Sequence, residues 1–140
     1  MPYKRLRSKS EQEYRDIFDE VYCKAPITTF DGISVKFYSE MFDHAFFESA
    51  NKRQGDKSLF SYNRAEKIMW IKKTLEDSTA ILKQGYIKKT KKYTNSRRVA
   101  IVKNNYVVVI LLYGVKRARF ITAYEANDSI NKILNSPDWV

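Results

Sequence analysis

The run Tyr106–Tyr113, YVVVILLY, limits the possible fold more than any other stretch. It is apolar on both alternating faces and rich in β-branched residues, so it reads as a strand buried on both sides in the middle of a sheet. Asn104-Asn105 before it and Gly114 after it supply turns. They separate it from two further strands, Val99–Lys103 and Ala118–Tyr124. Links this short cannot hold a parallel crossover, so these neighbours are expected to run antiparallel. Ile81–Ile87 adds a further strand, with Gly85 at a bend or bulge. The two-sided burial also calls for something packed on each sheet face, or for partial cover of the second.

Upstream the pattern is helical. Ser10-Glu11-Gln12-Glu13 spells a capping box, in which the Ser hydroxyl and Glu13 satisfy each other's backbone amides. Tyr14, Ile17, Phe18, Val21 and Tyr22 follow at helical spacing, and Pro26 forces an end near Lys24. Ile27–Phe30, Asp31-Gly32 and Ile33–Phe37 resemble a small hairpin around a turn that needs positive φ. Phe42, Ala45 and Phe46 share one face of a short helix within Tyr38–Gln54. Ser61 caps another helix, with Phe60 as its staple and Ala65, Ile68, Met69 and Leu75 as its stripe. Asn127 or Asp128 is expected to cap a last helix carrying Ile130, Ile133 and Leu134. The predicted class is α+β, with N-terminal helices packed on a four-stranded antiparallel sheet. Residues 1–9 are expected to form a mobile basic arm and residues 10–140 a single domain.

The chain of 140 residues suits one core. Its single cysteine, Cys23, rules out an internal disulfide. The basic start is not followed by an apolar segment, so no signal peptide is expected. The apolar runs fall far below the roughly 20 residues that span a bilayer. A cytoplasmic protein without membrane attachment is the expectation.

The formal net charge is +10, and it is lopsided. Between Asp77 and Glu125 there is no acidic residue but eleven basic ones, while the rest of the chain is close to neutral. A one-sided basic surface attracts polyanions, of which nucleic acid is the commonest. Lys88–Arg98, KKTKKYTNSRR, reads as an exposed hairpin loop. Lys88, Lys89, Lys91, Lys92, Arg97 and Arg98 would hold phosphates there, and Tyr93 would stack on a base. The alternative is a solvated loop that gives only solubility.

No glycine-rich phosphate loop is present, and one Cys with one His cannot form a metal set. A carboxylate-clustered metal nuclease is disfavoured by the acid-free sheet half. Neither metal nor cofactor is therefore expected. What remains is metal-independent attack on RNA, in which the ribose 2′-hydroxyl is the nucleophile. His44 has the ordinary pKa nearest neutrality. Arg64 opens a helix and could meet a phosphate. Thr122 and Tyr124 alternate onto one strand face, with Arg119 nearby. Each has a plainer reading as well: a surface His beside Asp43, an Arg answering Glu66 or Asp77, and ordinary β-forming residues.

Phe60-Ser61-x-x-Arg64-Ala65-Glu66-x-Ile68-x-Trp70-Ile71, Tyr106–Ile110 and Ala118-Arg119-Phe120-Ile121-Thr122-Ala123-Tyr124 together resemble the phage-associated branch of the BECR nucleases. That superfamily takes in barnase-like, EndoU-like, colicin and RelE-like ribonucleases. The resemblance covers about Phe42–Tyr124. It implies a toxin- or effector-type endoribonuclease of phages and mobile elements, acting without metal on transfer RNA or other structured RNA. Carried over by position, it implies catalytic roles for His44, Arg64, Thr122 and Tyr124. The second His used by EndoU-like members is missing, so base and acid roles would be shared by His44 with Tyr124, Lys57 or Glu48. The expected partners are RNA and an acidic immunity or antitoxin protein. The alternative is a basic nucleic-acid-binding module of the same fold without turnover.

Overall fold

The computed structural model describes residues 4–48 and 59–139. Lys57, one of the shared base or acid candidates, lies outside the described residues, as do residues 1–3 of the basic arm and the end of the Tyr38–Gln54 stretch.

The capping box forms as expected. Ser10 Oγ accepts from the Glu13 amide, and Glu13 accepts from the Ser10 amide at 2.9 Å. It starts helix α1, Glu11–Phe18, which continues through a widened π turn, Asp19–Cys23. Tyr14, Phe18 and Tyr22 are buried along one stripe. Phe18 is fully buried, with the rings of Tyr22, Phe37, Phe42, Phe46 and Phe120 around it.

Strands β1, Ile27–Thr28, and β2, Ser34–Lys36, form the small hairpin. Gly32 sits at φ +86°, the left-handed conformation that a glycine adopts without strain. Helix α2, Met41–Phe46, buries Phe42, Ala45 and Phe46 together. The pair β3, Phe47–Glu48, and β4, Leu59–Phe60, follows. Ser61 caps α3, Tyr62–Ala65, by accepting from the Arg64 amide at 3.2 Å. The expected single helix is broken at Glu66-Lys67, and α4, Ile68–Glu76, begins after the break.

Four strands then form a meander: β5, Ile81–Ile87; β6, Lys92–Val102; β7, Tyr106–Leu112; and β8, Arg117–Glu125. All three of their pairings are antiparallel. The sheet, however, has six strands rather than four, in the order β1-β2-β8-β7-β6-β5. Strand β2 joins β8 in parallel, matching Ser34 with Arg117 and Lys36 with Arg119. The sheet is therefore mixed, because the hairpin caps what would otherwise be an open edge.

Helices α1, α2 and α4 share a core with one sheet face, which contributes Tyr106, Val108, Ile110 and Phe120. Helix α5, Ile130–Leu134, covers part of the other face over Val99, Val107 and Val109. Both sides of β7 are thus buried, as its composition demands. The cap of α5 is not the expected one. Ser129 occupies the position without a side-chain bond, and Asn127 instead accepts from Asn105 at 2.7 Å.

Within the expected basic arm, Leu6 donates its amide to the Glu66 carbonyl and packs on the core, and the Lys4 carbonyl accepts from the Trp70 indole. One further expectation is corrected. Lys88–Arg98 is not one exposed loop. A tight turn at 88–91, with Lys91 at φ 55°, leads straight into β6. No described helix is long and apolar enough to cross a membrane.

Candidate nucleic-acid interface

Gly85 is where the long β5–β6 hairpin changes register. Gln84 faces Arg98, but Gly85 already faces Thr94, so residues 95–97 are extra on the β6 side. Such a bulge re-aims side chains. Here it lays Arg97 across the bare Cα of Gly85.

Arg97 thereby enters a cleft of about 220 Å³ on the second sheet face, beside α5. Tyr86, Tyr93, Thr122, Tyr124 and Lys132 also line it. The rings of Tyr86 and Tyr93 meet edge to face, 5.2 Å apart. No carboxylate is among the described residues that line this cleft, so its charge is positive. The β7–β8 register shift at Ile121 breaks the alternation of β8 and brings Arg119, opposite Leu111, to the face of Thr122 and Tyr124, where it is exposed. Lys88, Lys89, Lys91 and Lys92 stand exposed at the end of the same hairpin. Positive charge, hydroxyls and aromatic rings thus share one surface.

A second, smaller cleft of about 100 Å³ opens on the other side of Tyr124. It is lined by Glu48, Asn63, Arg64, Lys67, Tyr106 and Glu125, among others. Arg64 lies 5.8 Å from the Tyr124 ring centre and 3.6 Å from Glu48, and donates to the Ala45 carbonyl at 3.4 Å. Tyr124 is the wall common to both clefts. Burial raises the pKa of its phenol, while Arg64 and Arg97 pull it down from either side without cancelling that effect. The hydroxyl therefore stays protonated at neutral pH, able to donate a hydrogen bond.

The expected site residues divide as follows. Thr122 and Tyr124 meet Tyr93 and Arg97 in the first cleft, and Arg64 meets Tyr124 in the second. His44 is exposed on α2 and lines neither cleft, although the next residue, Ala45, carries the carbonyl that holds Arg64. Helix α2, which bears His44, nonetheless packs on both α3, which bears Arg64, and β8, which bears Tyr124. Arg98 does not join the exposed cations. It is 1% exposed, paired with Asp31 and covered by the Trp139 ring.

Lys67 and Glu125 were missed. Lys67 is 1% exposed, and its ammonium donates to Glu125 at 2.6 Å and to both oxygens of Asn63. On a helical wheel Lys67 looks like any surface lysine. A partner on a strand 58 positions away leaves no local signal. Among the described residues there is no group of three or more His, Cys, Asp or Glu able to hold a metal ion. No protein-family model, curated protein or solved structure matches the chain.

Proposed function

We propose that the protein is a metal-independent endoribonuclease that lays a single RNA strand along the second sheet face and cuts it beside Tyr124. The observation that carries this reading is the position of Tyr124, flanked by Arg97 in a cationic, aromatic cleft and by Arg64 in a polar one. Tyr86 and Tyr93 offer stacking surfaces, and the exposed lysines of the hairpin offer phosphate contacts. In the reaction, a general base takes the 2′-hydroxyl proton and the 2′-oxygen attacks phosphorus. The bond to the 5′-oxygen breaks, and that oxygen takes up a proton from a general acid. The product ends are a 2′,3′-cyclic phosphate and a 5′-hydroxyl. Arg64, against the Tyr124 ring, stabilises the extra negative charge, Thr122 and Tyr124 position the phosphate, and Arg119, five residues back along β8, holds the strand at a neighbouring phosphate. His44, exposed on α2 outside both clefts and one residue before the Ala45 carbonyl that holds Arg64, is assigned base or acid, with Tyr124 or Glu48, which lies 3.6 Å from Arg64, in the complementary role. The resemblance of the Phe60–Ile71 and Ala118–Tyr124 segments to the phage-associated BECR nucleases supports the same chemistry, and with it a toxin or effector role countered by an acidic immunity protein.

The test is incubation of purified protein with total RNA in the presence of a chelator. Cleavage that disappears in both His44→Ala and Arg64→Ala supports the reading. RNA that stays intact at high protein concentration rejects it. One observation favours a second reading, a binding module without turnover: the larger cleft has cations and rings but neither imidazole nor carboxylate among its lining residues. That module would bind RNA in a salt-sensitive manner, indifferent to His44→Ala, and its expression would be tolerated by cells.

A further inference from the structure

The two clefts that share Tyr124 differ in charge, and this separates what each can hold. The larger one carries Arg97 and Lys132 without a carboxylate and suits a phosphate. The smaller one balances Arg64 and Lys67 against Glu48 and Glu125. With Glu48 and Glu125 in its lining, the pocket offers no phosphate site beyond the Arg64 guanidinium. It favours a neutral group that donates hydrogen bonds. The cleft, about 100 Å³, is less than half the volume of the larger one, and hydroxyl groups are among the small donors it admits.

The buried pair at the floor of this pocket points the same way. All three N–H bonds of the Lys67 ammonium are used, two on Asn63 and one on Glu125. Glu125 itself remains 24% exposed. Burying an ammonium is costly, and an apolar side chain of the same length would stabilise the core at least as well. The arrangement fixes one carboxylate oxygen and leaves the rest of the group at the pocket surface.

We infer that the pocket behind Tyr124 is a ribose-hydroxyl site, in which Glu125, held by Lys67, accepts a hydrogen bond from a 2′-hydroxyl and so distinguishes RNA from DNA. This rests on the strand lying across Tyr124 as proposed above. The 2′-hydroxyl is the group by which a protein tells the two nucleic acids apart at a given position. Glu125 is the contact residue and Lys67 a positioning residue.

The experiment measures binding of one single-stranded sequence as RNA, as DNA and as 2′-fluoro RNA, by rapid-mixing anisotropy before any cleavage. The 2′-fluoro strand keeps the sugar shape but has no hydroxyl to donate. Wild-type protein is expected to prefer RNA over both by roughly tenfold or more, the range of a hydrogen bond to a charged group. Glu125→Ala should abolish that preference while leaving DNA affinity unchanged, which also shows that the variant is folded. Lys67→Met should reduce the preference without lowering the melting temperature. Equal binding of the three strands by wild type, or a preference that survives Glu125→Ala, overturns the inference. A Glu125-dependent preference without cleavage sinks the nuclease reading alone, cleavage without that preference sinks the hydroxyl site alone, and no binding to any strand sinks both.

Discussion

Arg98 and Asp31, 67 positions apart in the chain, close a two-armed ion pair at 2.6 and 3.2 Å. It ties the turn of the β1–β2 hairpin to the middle of β6. Trp139 lies over the guanidinium at 4.9 Å, so the C-terminal segment is held as well. The segment also covers the outer edge of β5, where Gln84 donates to Pro137 and Trp139 to Leu82.

Removing Arg98 should therefore loosen three distant parts at once. Arg98→Ala is expected to lower stability by about 3 kcal/mol, the low end for breaking a buried pair, because Asp31 is partly exposed. The pair also sets an acid response. Burial pushes the Asp31 carboxyl up, but hydrogen bonds from Arg98 and Thr29, with the charge of Arg98, outweigh it and hold the group below its ordinary 3.8. A depressed carboxyl contributes its stability in full above the unfolded value and loses it as pH falls through the lower folded one. Thermal melts of wild type should drop through that acid window. Asp31→Asn should start lower at neutral pH and show a shallower fall there.

What could be read from the chain beforehand was whatever depends on neighbours in sequence. The Ser10 capping box, the Asp31-Gly32 turn, the Ser61 cap and the antiparallel meander all rest on residues a few positions apart, and all are present. What could not be read depends on a distant partner. The parallel docking of β2 on β8 joins Val35 to Ala118, with no local pattern to announce it. Arg98 sits in a basic run and looks like its exposed neighbours until Asp31 is brought against it. Lys67 becomes buried because the helix breaks beside it and Glu125 lies opposite. At the site, the period-2 alternation correctly put Thr122 and Tyr124 on one face, but period alone could not say that Tyr124 would divide two clefts.

Gly85 offers a test of the bulge. A Cβ at this position would fall on Arg97 Cβ, Cγ and Cδ, the near part of the side chain rather than its mobile end. Gly85→Ala should thus displace Arg97 and cost about 1–3 kcal/mol, as overpacking does. Arg97→Ala in the same background should recover part of that stability, since the Cγ and Cδ overlaps are removed and only the Cβ contact at 2.8 Å remains. A double-mutant cycle by chemical denaturation measures the coupling, and simple additivity would refute the contact.

Cys23 should be a slow thiol. Burial pushes its pKa from the ordinary 9.0 up to about 11, with Asp19 and Glu40 adding to the rise. The thiolate is the reactive form, so its fraction near pH 8 falls about a hundredfold relative to an unperturbed cysteine. Iodoacetamide labelling of native protein should be correspondingly slow and should accelerate through the denaturant transition. Labelling as fast in native as in unfolded protein would contradict the placement of Cys23 against the helix core.

The salt dependence of RNA binding should map the strand path. Each phosphate contact contributes roughly 0.7 to the slope of log affinity against log salt for a single strand. Arg97→Ala and Lys132→Ala should each remove about one such contact, and joint neutralisation of Lys88, Lys89, Lys91 and Lys92 should remove several. Lys24→Ala is the control. That lysine is exposed on the helix layer and already paired with Glu20 at 2.5 Å, so its loss should leave the slope unchanged. An equal change for Lys24 and Arg97 would mean that RNA is held by diffuse charge and not by the second sheet face. A change confined to the hairpin lysines would move the strand off the Tyr124 wall, and the catalytic reading would move off it too.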